Sequence, residues 1–383
     1  MKYNGGVILN RIINFDNSAT TFPKPVSVRN AVNAGIVRYG GNPGRSGHRL
    51  SMQVAQQIYN VRKSIGDMFD AETENVAFTP NCTFALNMAI KGIMQYGGHI
   101  IISDYEHNSV ARPVNTLAQI RGIEYSIAHI TDNNDETVKN IEKLIRKNTK
   151  CVCCTIASNV TGRILPYKEI AKLCKKHGIC FIADGAQACG VIDLSMKDGF
   201  NFLCTAGHKS LYGPTGTGLL ISDGEFALST IIEGGTGATS TEIVQTPFLP
   251  EKLESGTINT VGILGLGEGV KFVRQKTIMR IHDYETKLCD ILINEIRYLP
   301  HIKIYRNDCE YAPIVAFNLG DENSQKVANY LSEKGFALRG GLQCAPLAHD
   351  TLGTLKQGVV RFSPSAFNTM QQVERLAAVI KKY

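Results

Sequence analysis

Between about Val76 and Ser222 the chain alternates short apolar runs with amphipathic stretches, an order few architectures accept. The strand candidates are Val76–Phe78, His99–Ser103, Gly122–Ile127, Cys151–Ile156, Ile179–Ala183, Phe202–Cys204 and Gly218–Ile221. Thr83–Tyr96, Thr137–Lys147 and Tyr167–His177 lie between them with helical apolar spacing. Strands alternating with helices predict a mainly parallel α/β sheet with helices on both faces. In such sheets ligands bind beyond the C-terminal ends of the strands. His107, Asn159 and Asp184 each fall just past a strand candidate, so the topology draws them toward one crevice.

After Gly256 the pattern changes. A long helical stretch from Val261 to Tyr298 leads to Lys303–Tyr305, Ile314–Asn318, the helix Gln325–Lys334, Ala337–Arg339, Val359–Phe362 and a final helix from Thr369. This predicts a large domain over residues 15–256 and a smaller α+β domain over 257–383 that the N-terminal residues 1–14 join. Gly262, Gly265 and Gly267 sit inside a helical pattern rather than a strand-to-helix turn. They predict close helix packing, not a dinucleotide site.

With 383 residues, 43% hydrophobic and 20% charged, the chain has an ordinary globular profile. Its formal charge of +7 is scattered, with no basic run interleaved with aromatics, which argues against nucleic-acid binding. The excess suits an anionic cofactor or an acidic protein partner. No stretch has the length of a membrane span, and the N-terminus lacks the apolar core of a signal peptide. Eleven cysteines without regular spacing predict reduced thiols and a cytoplasmic protein. Cys151, Cys153 and Cys154 read as a buried strand, because no Cys-x-x-Cys pair completes a metal site.

Lys209 lies in Thr205-Ala206-Gly207-His208-Lys209, ahead of the glycine-rich turn Gly213-Pro214-Thr215-Gly216-Thr217-Gly218. Upstream, an apolar run ends abruptly in Asp184-Gly185-Ala186-Gln187. A strand ending in a carboxylate, with a lysine after the next strand, is what pyridoxal phosphate (PLP) chemistry needs. The lysine forms a Schiff base with the cofactor, and the aspartate keeps the pyridine nitrogen protonated.

Other residues admit two readings each. Thr83, at a helix start, is either part of a phosphate cradle or a simple N-cap, a role Asn81 also fits. His107 either stacks on a planar cofactor or is structural. Arg361, between valine and phenylalanine in a strand pattern, needs a buried partner. That partner is a substrate carboxylate or an internal ion pair. Cys344 sits in the glycine-flanked loop Arg339-Gly340-Gly341-Leu342-Gln343-Cys344, where it is either a nucleophile beside Arg339 or incidental.

Together these segments resemble the class V aminotransferase-like PLP enzymes, specifically the cysteine desulfurase and selenocysteine lyase family. The resemblance runs from Phe15-Asp16-Asn17-Ser18-Ala19-Thr20-Thr21 through Glu106-His107-Asn108, Ser158–Gly162, Ala183–Gln187 and Gly207-His208-Lys209. Glu254–Thr260, the cysteine loop and Val360-Arg361-Phe362-Ser363 complete it. It implies the fold-type-I transferase architecture of aspartate aminotransferase: a seven-stranded, mainly parallel large domain plus a smaller one. It implies Lys209, Cys344 and His107 as catalytic residues. Lys209 would carry PLP and move the α-proton, and Cys344 would attack the substrate sulfur to give a persulfide and alanine. Asp184 would pair with the pyridine nitrogen, Gln187 with the phenolic oxygen, and His107 would stack on the ring. Thr83 and His208 would hold the phosphate with Cys82 beside them, and Thr257 would reach it from the neighbouring subunit of a homodimer. Asn159, Arg361 and Arg339 would bind the carboxylate of L-cysteine or L-selenocysteine.

Two departures stand out. Many relatives place a phosphate-contacting serine where this chain has Ala206, with Thr205 the available substitute, and Ser210 is an extra residue before Leu211-Tyr212-Gly213. The short spacing from Cys344 to Arg361 resembles the short-loop branch, which implies that a sulfur acceptor, a docking protein or a small thiol, comes to the site. A selenocysteine lyase uses the same machinery, a plain aminotransferase does not need Cys344, and a PLP-fold scaffold or regulator does not need Lys209, Asp184 and Arg361 together.

Overall fold

The structure is a computed structural model that describes residues 12–44, 47–237 and 241–383. Of the N-terminal segment assigned to the smaller domain, residues 1–11 lie outside this range. After β1 (Ile13–Asn14), α1 (Val26–Val37) and α2 (Arg49–Phe69) precede the alternating region. That region yields β2 (Val76–Thr79), α3 (Cys82–Ile93), β3 (His99–Ser103), α4 (Asn108–Arg121), β4 (Glu124–Ala128), α5 (Asn134–Leu144) and β5 (Thr149–Thr155). It continues through α6 (Tyr167–His177), β6 (Cys180–Asp184), β7 (Phe202–Ala206) and β8 (Gly218–Ser222).

All seven predicted strands join one sheet, ordered β2-β8-β7-β6-β5-β3-β4. β8 is antiparallel to both its neighbours and every other pair is parallel. Strands covered on both faces read as continuous apolar runs, which is why β3, β6, β7 and β8 are legible and fully buried. β4, at the sheet edge, is largely exposed. It begins two residues later than its predicted start, because Gly122 (φ 62°) closes α4 in a left-handed cap. α5 starts earlier than predicted, at Asn134, because the Asn133 side chain accepts from Glu136 N. α6 follows its pattern: Ile170, Ala171, Leu173 and Cys174 are buried, basic residues fill the last turn, and Gly178 (φ 64°) ends it.

The predicted single helix over 261–298 is two helices, α7 (Thr260–Lys276) and α8 (Ile278–Ile296). They break at Thr277, whose φ of 66° no α-helix accommodates. α7 carries the clustered glycines against α1 and α2. A Cβ at Gly265 would lie 2.8 Å from Val32, and one at Gly267 would lie 2.5 Å from Val61, so close packing accounts for both.

The remaining chain forms β9 (Ile302–Ile304), β10 (Val315–Leu319), α9 (Ser324–Glu333), β11 (Phe336–Ala337), α10 (Pro346–Thr351), β12 (Val360–Phe362) and α11 (Met370–Ile380). β12-β10-β9 is an antiparallel sheet, and β1 pairs in parallel with β11. Phe15, Leu288, Leu292, Phe317, Phe362 and Leu376 make a second core. Ser363 N donates to Phe15 O (2.8 Å), which brings Asp16 beside β12. The buried Tyr212 hydroxyl lies 3.0 Å from Glu285 and accepts from Ala366 N (2.9 Å). The turn after Lys209 is thereby tied to α8 and the C-terminal segment.

Candidate active site

β6 ends in Asp184, whose Oδ1 accepts from Ala186 N at 2.9 Å and from Cys82 Sγ at 3.4 Å. Next to it, β7 ends at Ala206 and the glycine-rich turn folds back, with Gly207 N donating to Thr217 O and Gly213 N to Gly207 O. A Cβ on Gly207 would sit 2.3 Å from Thr217 Oγ1, so this close approach needs glycine. Lys209 emerges from the turn. Burial pushes its amine below the usual lysine range, with Cys82 and Asp184 pulling the other way. The preceding His208 carbonyl accepts from Thr21 N (3.1 Å) and Lys24 Nζ (2.7 Å).

The opposite wall is built from the starts of α3 and α4. Asn81 caps α3 by accepting from Phe84 N (2.9 Å), so Thr83 is not the N-cap. Its Oγ1 lies 2.6 Å from Ser109 Oγ. His107 caps α4: Nδ1 accepts from Ser109 N (3.1 Å) and lies 2.8 Å from Ser109 Oγ. An acceptor at Nδ1 assigns the remaining proton to Nε2. Burial pushes His107 down to about 4, against the pull of Asp184, so the ring is neutral near pH 7. Before it, the fully buried Glu106 accepts from the Ser103 hydroxyl and Thr155 N, and burial pushes its carboxyl up to about 8.

Cys82, Thr83, His107, Asn159, Asp184, Gln187, His208 and Lys209 therefore line one cavity at the strand ends. A larger groove of about 780 Å³ opens between α1, α2 and α7 but holds none of these groups, so chemistry rather than size marks the site. Ser109 and Thr155 also line the cavity and were not foreseen. Thr205 is fully buried, its hydroxyl turned to Gly185 O (3.3 Å), and strand alternation keeps it off the face that Ala206 shows the cavity. It is not the substitute for the serine absent at 206.

Arg361 and Arg339 pair backbone to backbone beside this cavity. Arg361 is 2% exposed. Its Nη2 meets Asp16 Oδ1 at 2.6 Å, its Nη1 donates to Asn159 O at 2.8 Å, and its Nε has no partner among the described residues. Of the two readings, the internal ion pair is the one present. Its partner, Asp16, lies in the segment Phe15–Thr21, to which the family resemblance gives no role at this residue.

Nine of the eleven cysteines are buried and Cys309 is half-buried, which leaves Cys344 as the exposed thiol. Its carbonyl accepts from Asn108 N (2.8 Å), next to His107, and its Sγ lies 3.9 Å from Arg339 Nη2. The glycine-flanked loop is not slack. Gln343, 4% exposed, donates from Nε2 to Arg339 O and Val359 O and accepts at Oε1 from His349 Nε2. Asn159 Nδ2 donates to its carbonyl (2.7 Å). Buried hydrogen bonds thus fix a loop whose two glycines would otherwise leave it free. Thr257 is exposed, outside this cavity, and takes a bond from Asn42 (3.3 Å). Its segment is anchored by Glu254, which pairs with Arg62 at 2.6 and 2.8 Å.

The aminotransferase class-V family model matches residues 13–376. The chain belongs to this family. This class-V member is 32% identical over 386 residues to a probable cysteine desulfurase of Pyrococcus abyssi, covering 97% of this chain and 94% of that one. A cysteine desulfurase of Yersinia pseudotuberculosis is 31% identical, over 88% of this chain and 84% of its own. Among solved structures, the apo cysteine desulfurase of Thermococcus onnurineus superposes with a TM-score of 0.90 at 29% identity, covering 97% and 94% of the two chains. The family is PLP-dependent, and the donor set fits that group. A buried carboxylate, a helix N-terminus and the hydroxyl in its first turn all line the cavity. The buried His208 Nδ1 has no partner among the described residues. Among the described residues no helix is long and apolar enough to cross a membrane.

Proposed function

We propose that the chain is a cysteine desulfurase, converting L-cysteine to L-alanine and passing the sulfur, as a Cys344 persulfide, to an acceptor. The observation that carries this reading is the placement of Cys344. It is the one exposed thiol, and it stands between Asn108, next to the cavity-lining His107, and Arg339. Asp184 and Gln187 would hold the pyridine ring, with His107 against its face, while Thr83, Cys82 and His208 would hold the phosphate. When bound, PLP would let the substrate carbon keep the electron pair of a breaking bond.

The chain's own groups do the rest. Burial keeps more of the Lys209 amine neutral near pH 7, so that it can take the α-proton. Arg361, Arg339 and Asn159 would orient the substrate carboxylate, which must compete with Asp16 for Arg361. The Cys344 thiolate attacks the substrate sulfur: an S–S bond forms, the Cβ–S bond breaks, and Cβ takes the electron pair and then a proton. Thr257, outside this chain's cavity, is available to a second copy, which supports a homodimer with shared phosphate sites. The large domain would supply the cofactor and the smaller one the thiol.

The test is alanine and sulfide release from L-cysteine with a reducing thiol. Equal yields of both from the native enzyme, and loss of both in Cys344→Ala, are expected. Alanine persisting in Cys344→Ala would remove the cysteine from the mechanism. Turnover of selenocysteine without turnover of cysteine would move the assignment to a lyase.

A further inference from the structure

We propose that Ser109 is a positioning residue for the cofactor phosphate, acting through Thr83; this rests on the function proposed above. The residues at that end of the cavity are few. β7 presents Ala206, which has no donor. Gly218 pairs with Ala206 across the sheet, and a Cβ on it would lie 2.5 Å from Asn81 C, so Ala206 stands beside the first turn of α3. Thr205 faces away, and the Thr155 hydroxyl is committed to Ala157 O (2.9 Å). Asn81 is committed to its cap. Besides His208, that leaves the Thr83 and Ser109 hydroxyls, 2.6 Å apart and both lining the cavity.

Proton counting then fixes what Ser109 does. Thr83 Oγ1 carries one proton. When an anion takes it, the Thr83 oxygen can only accept from its neighbour. Ser109 must then turn its own proton toward Thr83, leaving His107 Nδ1 with the Ser109 backbone N–H alone. A donor that itself accepts a hydrogen bond is a stronger donor. Ser109 therefore orients and strengthens the Thr83 hydroxyl at the phosphate, in a chain where position 206 offers no hydroxyl. The same side chain joins the phosphate end of the cavity to the ring-facing histidine.

The experiment uses the full chain, stripped of cofactor and titrated with PLP, with pyridoxal (the same ring without the phosphate) and with inorganic phosphate. Ser109→Ala is expected to weaken PLP and phosphate binding by up to about tenfold, the upper worth of one neutral hydrogen bond, while pyridoxal binds as before. In a Thr83→Ala background, Ser109→Ala should cost less than about twofold, because its route to the anion is gone. Ser109→Thr, which keeps the hydroxyl, should bind PLP within about threefold of the native chain. Equal loss for PLP and pyridoxal would reduce Ser109 to a structural role and overturn the proposal. So would undiminished PLP binding in Ser109→Ala, or a full additional loss in the Thr83→Ala background. If the native chain binds no PLP at all, the proposed function itself fails; if it binds PLP and desulfurates cysteine, only the role of Ser109 is at stake.

Discussion

Lys209 and His107 sit in a cavity where burial has stripped water from an amine and an imidazole, whereas Cys344 stands in solvent on a backbone held from beneath by Gln343. In the cavity the reactive groups are tuned by desolvation, which lowers Lys209 below its ordinary range and takes His107 down to about 4. At the loop the requirement is positional. What must be fixed is where the thiol is, and Gln343 and Cys344, with φ of 42° and 58°, are held there by side-chain hydrogen bonds. The amine and imidazole whose proton affinity burial lowers are placed in the core. A group that must meet a visiting acceptor is placed outside and braced.

Substituting one buried group in each region tests this contrast. Beneath the cavity, Glu106 keeps its proton up to about pH 8, while the unfolded chain loses it near 4.5. Its contribution to stability is whole below pH 4.5, falls as pH rises, and is spent above pH 8. Glu106→Gln, which cannot ionise, is expected to gain on the native protein by about 4 kcal/mol between pH 4.5 and 8, read from urea unfolding across that window. Parallel curves for the two proteins would mean that Glu106 is solvated. At the loop, Gln343→Ala should cost about 3 kcal/mol, since it strands two carbonyls and an imidazole N–H. Gln343→Gly should cost about 1 kcal/mol less, because glycine accepts the left-handed backbone. A loss below about 1 kcal/mol for the alanine variant would mean that the loop is not braced by this side chain.

The sequence made the sheet legible because strands buried on both faces are apolar throughout, and it made Asp184 and Lys209 legible because reactive groups sit where such strands end. The break at Thr277 was not legible. The apolar spacing continues across it, and no glycine or proline marks the turn. The role of the glycines of the cysteine loop was not legible either. A Cβ on Gly340 would lie 2.5 Å from Ser324 O, and Gly341 has φ 98°, so both are there for packing and backbone geometry. Asp16 and Arg361 are 345 residues apart, and pattern along the chain carries no information on such a pair. Ser109 stood two residues from His107, where an N-cap histidine needs a nearby donor. That signal was available, but its link to Thr83 required the fold.

The smallest effect comes from the second layer of the loop. His349 is fully buried; its Nε2 lies 2.9 Å from Gln343 Oε1 and its Nδ1 lies 2.7 Å from Thr354 Oγ1. Burial pushes it down to about 4, so the folded protein refuses a proton that the unfolded chain accepts near 6.5. Stability is intact above pH 6.5 and lost as pH falls toward 4, by about 2 to 3 kcal/mol from this residue. His349→Gln should lose stability at pH 7, where the fit to Gln343 and Thr354 is disturbed, yet decline less steeply between pH 6.5 and 4. Protonation takes place at Nδ1, where the Thr354 hydroxyl must turn from donor to acceptor, while the Nε2 bond to Gln343 stays in place. If native and His349→Gln proteins decline in parallel, acid acts through His107 and His208 in the cavity, and the loop is the more acid-resistant half of the site.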